Sequence, residues 1–313
     1  MSKKKIILLS IIAALSLVLV LQIVLGRDEA FRTVGLGEDV SIDEIVIVNA
    51  DGESLKLILE NGLWLVSERK FPGDQEKIAN IVDKISSVKV IDAVSSRKLY
   101  ERYEVDEGSR ITVTALQNGT SVRTLYLGKA SATSKQSYLL MDDDSRVLLV
   151  SGNYRRDFSK QQDDFRDKNI LSIKPESISR LVLSGTVKDS QGDFTIPVDM
   201  FSMVKDAGSG TWIMENSPLA GGVPVDQEKI TNYLRGFSAL KASDFKTSGT
   251  VPQGDPLFSI EIDAVEGTSF LSVLEKLDDG YYLCRTSESE YSFRLSSYST
   301  EKFMKGPEEF VSR

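Results

Sequence analysis

The stretch Asp74-Gln75-Glu76-Lys77-Ile78 recurs unchanged as Asp226-Gln227-Glu228-Lys229-Ile230, 152 residues further along the chain. At the same offset, every apolar position that follows the first copy is matched by an apolar position in the second. The matched residues are Ile81, Val82, Ile85 and Val88 in the first copy and Tyr233, Leu234, Phe237 and Leu240 in the second. A collinear series of this length indicates an internal duplication, which is typical of a built framework rather than of one active site.

Both copies of the repeated stretch predict an amphipathic helix. Asp74 stands just ahead of the periodic residues, where its carboxylate can accept backbone N–H bonds and complement the helix dipole. Positions 78, 81, 82, 85 and 88 then form one apolar stripe at helical spacing. The second copy has the same start and the same stripe, so we expect helices over residues 75–88 and 227–240.

Paired turn residues around each predicted helix indicate antiparallel hairpins. Asn61-Gly62 and Asn118-Gly119 separate apolar runs, and such two-residue turns need positive φ at both positions. Trp64 and Trp212, the only tryptophans, occupy equivalent strands; a repeated core position explains them better than a ligand platform does. The predicted fold class is therefore α+β, with two tandem modules in residues 42–171 and 172–313. Each module is expected to be mainly antiparallel β-sheet with one amphipathic helix packed on it.

The N-terminal segment predicts a membrane anchor. Three lysines at positions 3–5 precede an apolar run from Ile6 to Leu25. A helix of this length, at about 1.5 Å per residue, spans roughly the 30 Å hydrocarbon core of a bilayer. The lysines favour a cytoplasmic N-terminus. We therefore expect a transmembrane helix in residues 1–26, a linker in residues 27–41, and a single-pass inner-membrane protein whose remaining chain is periplasmic. The alternative is a cleaved signal peptide, whose apolar core is normally about 7–15 residues long.

Composition excludes several kinds of chemistry. The net charge is −8, and an acidic chain does not attract nucleic acid. There is no histidine, which removes Ser-His-Asp and Cys-His nucleophile arrangements and histidine-ligated metals. The single cysteine, Cys284, allows no intrachain disulfide, and a small buried side chain explains it better than a reactive thiol. Asp142-Asp143-Asp144 lacks the alternating ligands of a calcium loop and fits a solvated turn. No catalytic, cofactor-binding or metal-binding residue is predicted, and no cofactor.

One loop differs between the two copies. The segment around Tyr100, Arg102 and Tyr103 is aromatic and charged, and it has no counterpart at residues 247–256. Because specialised function tends to lie on loops, these three residues are the candidate partner-binding residues. The alternative is that Tyr103 fills the core of the first module.

Several motifs follow one another along the chain: Gly62-Leu63-Trp64, the Asp-Gln-Glu-Lys helix, Leu127-Gly128 and the closing Phe165-Arg166-Asp167-Lys168-Asn169-Ile170-Leu171. This order of motifs resembles the bacterial domain of unknown function 4340. The resemblance covers residues 42–184 well, and the second copy lacks the Leu-Gly and Arg-Asp-Lys elements. The resemblance implies a membrane-anchored envelope protein without established activity. Some members of the family resemble auxiliary parts of gliding-type ABC transport systems. It carries no catalytic residues.

Two functions remain open from the sequence. The first is a non-catalytic, membrane-tethered extracytoplasmic protein that binds envelope or ABC-transporter components. The second is a histidine-free hydrolase that acts on envelope glycan or peptide through carboxylates. Two close carboxylates with raised pKa values in one cleft would favour the enzyme.

Overall fold

The computed structural model describes residues 32–188, 194–216, 224–246, 254–289 and 291–311. Backbone contacts divide the chain into two compact units, Met1–Asp167 (unit 1) and Lys168–Arg313 (unit 2). The boundary predicted after Leu171 lies four residues later than this division.

Unit 1 is built on a ten-stranded antiparallel sheet of order β1-β6-β10-β9-β8-β7-β2-β3-β4-β5. The strands are β1 (Arg32–Gly35), β2 (Glu44–Val48), β3 (Ser54–Glu60), β4 (Leu63–Val66), β5 (Phe71–Pro72), β6 (Ser87–Ser95), β7 (Ile111–Gln117), β8 (Thr120–Ala130), β9 (Gln136–Met141) and β10 (Asp144–Ser151). The helices are α1 (Gln75–Ser86), α2 (Tyr100–Tyr103), α3 (Tyr154–Phe158) and α4 (Gln162–Phe165).

Unit 2 has an eight-stranded antiparallel sheet of order β14-β13-β12-β17-β18-β19-β20-β16 and a small β11-β15 ribbon. Its strands are β11 (Asn169–Leu171), β12 (Ile178–Lys188), β13 (Phe194–Lys205), β14 (Trp212–Asn216), β15 (Leu240–Lys241), β16 (Asp244–Lys246), β17 (Phe258–Ala264), β18 (Gly267–Lys276), β19 (Tyr281–Thr286) and β20 (Ser292–Ser296). Its helices are α5 (Gln227–Leu234) and α6 (Ser297–Glu301), with 3-10 turns at Pro175–Ser177, Arg235–Phe237 and Pro307–Phe310.

The predicted hairpin turns have the backbone that their residues favour. Asn61 and Gly62 have φ of 51° and 80°, and Asn118 and Gly119 have φ of 50° and 74°. Positive φ at both central residues matches the right-handed twist of the strands that these turns connect. The pairs therefore set the β3-β4 and β7-β8 hairpins of unit 1.

The repeated helices lay their apolar stripe on the sheet of their own unit. Ile78 and Ile85 of α1 are fully buried, as are Ile230 of α5 and Phe237 just after it. The second helix ends earlier than predicted and continues as a 3-10 turn through Gly236, a residue that costs about 1 kcal/mol in a helix relative to alanine.

The predicted fold class is wrong in two respects. The antiparallel sheet of each module was expected, but the helices are short and each unit has more than one, so the described chain is mostly antiparallel β-structure rather than α+β. Within the described ranges, no helix is both long enough and apolar enough to cross a membrane. The longest, α1, has 12 residues, or about 18 Å of rise against a bilayer core of roughly 30 Å. This finding also contradicts the predicted single-pass inner-membrane location. The segment Ile6 to Leu25, on which that prediction rested, lies outside the described residues.

Candidate functional site: a groove in unit 2

The repeated glutamine holds the tryptophan strand in place. In unit 1 the Gln75 side-chain oxygen accepts the Trp64 backbone N–H at 2.8 Å. Its Nε2 donates to the Trp64 carbonyl at 2.9 Å and to the Gly73 carbonyl at 2.7 Å. The amide thus pairs with the strand much as a neighbouring backbone would, and it fixes the start of α1 against β4.

Unit 2 repeats these three bonds. The Gln227 side-chain oxygen accepts the Trp212 N–H at 2.9 Å, and its Nε2 donates to the carbonyls of Trp212 at 3.0 Å and Val225 at 2.7 Å. Both tryptophans are buried, 8% exposed in unit 1 and 5% in unit 2. The tryptophans are therefore repeated core residues.

The aspartate of the repeat caps its helix. The Asp74 carboxylate accepts the backbone N–H of Lys77, and the Asp226 carboxylate accepts those of Glu228 and Lys229. Such caps satisfy N–H groups that have no partner inside the helix.

The backbone of each aspartate and the repeated lysine attach the helix start to the segment that closes the unit. The Asp74 N–H donates to the Phe165 carbonyl at 2.8 Å, and the Lys77 ammonium bonds the Asp164 carbonyl. In unit 2 the Asp226 N–H donates to the Phe310 carbonyl at 2.7 Å. The Lys229 Nζ donates to the carbonyl of Val311 at 2.8 Å. The framework therefore accounts for four of the five residues that are identical between the copies: the aspartate, the glutamine, the lysine and the buried isoleucine.

These bonds reveal a second repeat that the sequence analysis missed. The closing segments are Phe158-Ser-Lys-Gln-Gln-Asp-Asp-Phe165 and Phe303-Met-Lys-Gly-Pro-Glu-Glu-Phe310. They share two phenylalanines, a lysine two residues after the first, and an acidic pair before the last. All four phenylalanines are buried. Identities separated by unlike residues are hard to detect, but this spacing was visible in the sequence.

The two units differ where the helix faces the closing segment. In unit 1, Lys84 at the end of α1 forms an ion pair with Asp157 of α3, which is largely buried. The aligned positions in unit 2 are Gly236 and Lys302. Glycine has no side chain to reach across, and Lys302 replaces the acid. The bridge of unit 1 therefore has no equivalent at these positions in unit 2.

A cavity of about 410 Å³ lies at this place in unit 2, and we call it the groove. Its lining residues are Lys229, Asn232, Tyr233, Gly236, Lys302, Phe303, Lys305, Glu309 and Phe310. The volume falls in the range of small-molecule sites, about 300–1,000 Å³.

Aromatic rings form the inner wall of the groove. The Tyr233 ring meets those of Phe303 and Phe310 edge-on, with centroids 6.0 and 5.0 Å apart. The Tyr233 hydroxyl donates to the Phe303 carbonyl at 2.9 Å, and burial holds the pKa of this phenol well above its usual value. The Phe303 ring packs on Gly236, where an added Cβ would come within 2.7 Å of a ring carbon. The wall is thus closely packed and apolar.

Charged side chains surround the opening of the groove. Lys229 is held by the Val311 carbonyl, and Lys305 pairs with Glu309. The Lys302 ammonium lies 3.7 Å from the centroid of the exposed Tyr298 ring. No carboxylate of the described residues forms an ion pair with Lys302. Three ammonium groups therefore face one carboxylate.

The three residues predicted to bind a partner lie elsewhere, in unit 1. Tyr100, Arg102 and Tyr103 belong to the short helix α2. Tyr103 is half-buried and its ring packs against Tyr138, with centroids 4.8 Å apart, while the Tyr100 hydroxyl donates to the Ser145 carbonyl at 3.1 Å. Arg102 is exposed. The segment therefore covers a small hydrophobic cluster, and of the three predicted residues only Arg102 is exposed.

The same loop explains the glycine of the Leu127-Gly128 motif. An added Cβ at Gly128 would lie 2.2 Å from the Tyr103 carbonyl oxygen and 2.6 Å from a methyl carbon of Val105. Val105 is fully buried. Glycine is needed there because the loop backbone packs directly on strand β8.

Other residues considered from the sequence show no chemistry of their own. Cys284 is buried, and burial raises the pKa of its thiol well above the usual value, so the reactive thiolate is disfavoured. Asp142 and Asp144 bond Thr124 and Arg146 at a turn. Among the described residues, no group of three or more acidic or cysteine side chains is arranged to hold a metal ion.

Comparison with known proteins identifies the family. The model of the domain of unknown function DUF4340 matches residues 64–256, more than half of the chain. This match starts at the tryptophan strand of unit 1 and reaches further into the second copy than residues 42–184, the range predicted from the motifs. Comparisons with curated proteins and with solved structures give no match. The chain belongs to the DUF4340 family.

Proposed function

We propose that this protein is a non-catalytic binding protein and that the groove of unit 2 is its binding site. The partners we propose are envelope-type or ABC-transporter-type proteins, the class that the family resemblance implies. The observation that carries the proposal is the contrast between the two copies. The same hydrogen-bonded framework is closed by the Lys84–Asp157 pair in unit 1 and left open by Gly236 and Lys302 in unit 2.

Duplication explains how such a site arises without loss of the fold. The glutamine, aspartate and lysine bonds that hold the helix are present in both units, so the groove is not needed for the framework. A position released from a structural role is free to acquire a binding role. The groove combines a closely packed apolar wall with a few polar groups at its rim, which is the usual composition of a ligand site.

The hydrolase alternative has weaker support. A carboxylic acid that protonates a leaving group needs a raised pKa. Hydrogen bonds lower the pKa of Asp144, Asp206 and Glu266, with Arg146, Ser209 and Ser177 as the respective donors.

The buried carboxylate of Asp157 is paired with Lys84 and Arg156. We therefore put forward the binding function alone.

The test is a pull-down with matched variants. Asn232 and Asn80 are exposed residues at equivalent positions of the two repeated helices, and only Asn232 lines the groove. Asn232→Trp should fill the opening, while Asn80→Trp makes the same change in unit 1. Wild-type protein, both variants and a bait-free control are each used to capture proteins from cell extract, followed by quantitative mass spectrometry.

We expect a set of partners that wild type and Asn80→Trp retain and Asn232→Trp loses, with the melting temperatures of both variants close to that of wild type. Capture of the same set by both variants would contradict the groove as the binding site. Loss with Asn80→Trp alone would place binding in unit 1.

A further inference from the structure

We infer that the groove of unit 2 binds an organic anion, a compound with an apolar body and one carboxylate or similar acidic group. This inference rests on the proposed function, because it assigns the chemistry of the ligand to the same site. The apolar body would lie against the ring wall, and the acidic group would face the lysines at the opening.

Charge complementarity is the first argument. The chain as a whole is acidic, with a net charge of −8, yet the groove opening has three lysines and one glutamate. A local surplus of two positive charges in an acidic protein attracts anions to one place and repels them from most others.

The positions of the lysines are the second argument. The Lys229 ammonium is held by the Val311 carbonyl at 2.8 Å, a bond inherited from the framework, so its charge is fixed at the wall of the groove. Lys305 is partly neutralised by Glu309. Among the described residues, Lys302 has the Tyr298 ring beneath its ammonium and no ion pair, and it replaces the acid that unit 1 uses to bind its own lysine. Lys302 is therefore the charge most available to a ligand.

The wall supplies the third argument. The rings of Tyr233, Phe303 and Phe310 are buried behind the opening, and the Tyr233 hydroxyl is already committed to the Phe303 carbonyl. The inner part of the groove thus offers apolar contact with little demand for hydrogen bonds. A volume of about 410 Å³ suits a ring system or a short acyl chain.

Two sources share this chemistry. One is a free carboxylate with a short acyl chain, and the other is the C-terminus of a partner chain that ends in an apolar residue. Both present an apolar group next to a carboxylate, and competition with small compounds separates them.

The experiment uses two fluorescent probes with the same type of ring system. 1-Anilinonaphthalene-8-sulfonate carries one negative charge, and N-phenyl-1-naphthylamine is its neutral counterpart. Each is titrated into the full chain of wild type, Lys302→Gln, Lys302→Arg and Asn232→Trp. Lys241→Gln serves as the charge-matched control, since Lys241 is exposed in unit 2 and does not line the groove.

We expect saturable binding of the anionic probe to wild type at one site, and binding of the neutral probe that is about tenfold weaker. Lys302→Gln should lower the affinity for the anionic probe about two- to fivefold, which is the effect of losing one partly exposed ion pair. The affinity for the neutral probe should not change. Lys302→Arg should retain wild-type affinity, as should Lys241→Gln. Asn232→Trp should abolish binding of both probes.

The outcomes distinguish this inference from the function on which it rests. Equal affinity of wild type for both probes, with no effect of Lys302→Gln, would overturn the inference that the ligand is an anion. The groove would still stand as a binding site. Unchanged binding of both probes to Asn232→Trp would overturn the groove itself, and with it the proposed function. Equal weakening by Lys302→Gln and Lys241→Gln would mean nonspecific attraction and would also overturn the inference.

Competition then assigns the source. Stronger displacement of the anionic probe by N-acetylphenylalanine than by octanoate assigns a chain end, as the proposed protein partners require. Stronger displacement by octanoate assigns a free acyl carboxylate and would overturn those partners. Failure of both compounds to displace the probe would contradict the inferred ligand class.

Discussion

Removal of the Gln75 side-chain amide should destabilise unit 1 by an amount that follows from its three hydrogen bonds. Gln75→Ala deletes one acceptor and two donor contacts, which leaves the Trp64 N–H and the carbonyls of Trp64 and Gly73 without this partner. A typical bond contributes about 0.5–1.5 kcal/mol. Because the Gln75 side chain is exposed and water can replace part of each bond, we use about 0.5–1 kcal/mol per bond. The expected loss is therefore about 1.5–3 kcal/mol, or a fall in melting temperature of about 5–12 °C.

Tryptophan fluorescence during urea unfolding measures the loss of unfolding free energy in unit 1. The chain has one tryptophan in each unit, so a Trp212→Phe background makes the fluorescence report Trp64 alone. Glu76→Ala is the control. Glu76 is next to Gln75 in the chain and is exposed. The interaction of its carboxylate with the helix dipole stabilises the fold by less than about 1 kcal/mol.

A charge-bearing variant sharpens the test. Gln75→Glu keeps an acceptor for the Trp64 N–H but places a carboxylate oxygen against the two carbonyls that the amide now binds. It should cost more than Gln75→Ala at neutral pH. Repulsion raises the pKa of this new carboxyl in the folded state, so the difference from wild type should shrink as the pH falls toward about 4. A loss for Gln75→Ala no larger than that for Glu76→Ala would refute the role given to the glutamine.

Four further substitutions test the packing. Ile85→Ala should cost about 2–5 kcal/mol and Phe237→Ala about 3–5 kcal/mol by urea unfolding, since both side chains are fully buried, and a cost below 1 kcal/mol would contradict their place in the core. Gly128→Ala should cost about 1–3 kcal/mol by calorimetry because its Cβ would press on the Tyr103 carbonyl, and a neutral effect would contradict that close approach. Burial raises the pKa of Tyr154 to about 12, so its contribution to stability is present below the unfolded pKa of about 10 and is lost as the pH rises through about 12. Melting temperatures measured from pH 9 to 12 should therefore fall less steeply for Tyr154→Phe than for wild type, and parallel curves would contradict this.

Local rules predicted the turns and helix starts well. Asn-Gly pairs favour positive φ wherever they stand, and an aspartate before an apolar stripe caps a helix with little help from the rest of the chain. The Asn61-Gly62 turn and the Asp74 and Asp226 caps are therefore found where the sequence placed them. The antiparallel sheets were expected, but the α+β class was wrong because the helices are short and strands dominate both units.

The groove could not be predicted in the same way. It depends on Gly236 and Lys302, which lie in segments far apart in sequence and meet only in the folded unit. The comparison with Lys84 and Asp157 requires the alignment of the closing segments, whose few spaced identities become meaningful once the bonds of Phe165 and Phe310 are seen.

The partner-binding prediction for Tyr100, Arg102 and Tyr103 rested on a loop present in one copy only. The structure gives Tyr103 packing against Tyr138 in a small cluster, a tertiary contact that loop composition does not reveal. No observation here tests partner binding by these three residues, and it stays a prediction.

Chemical-shift mapping tests the central claim most directly. The full chain, labelled with ¹⁵N, is titrated with 1-anilinonaphthalene-8-sulfonate, and the amide resonances of Gly236 and Asn232 are followed with those of Lys84 and Asn80 in unit 1. The account predicts saturable shifts at Gly236 and Asn232 that fit one dissociation constant, with Lys84 and Asn80 unchanged. Shifts of equal size in both units, or none at Gly236 and Asn232, would contradict the claim that the second copy alone was opened into a binding site.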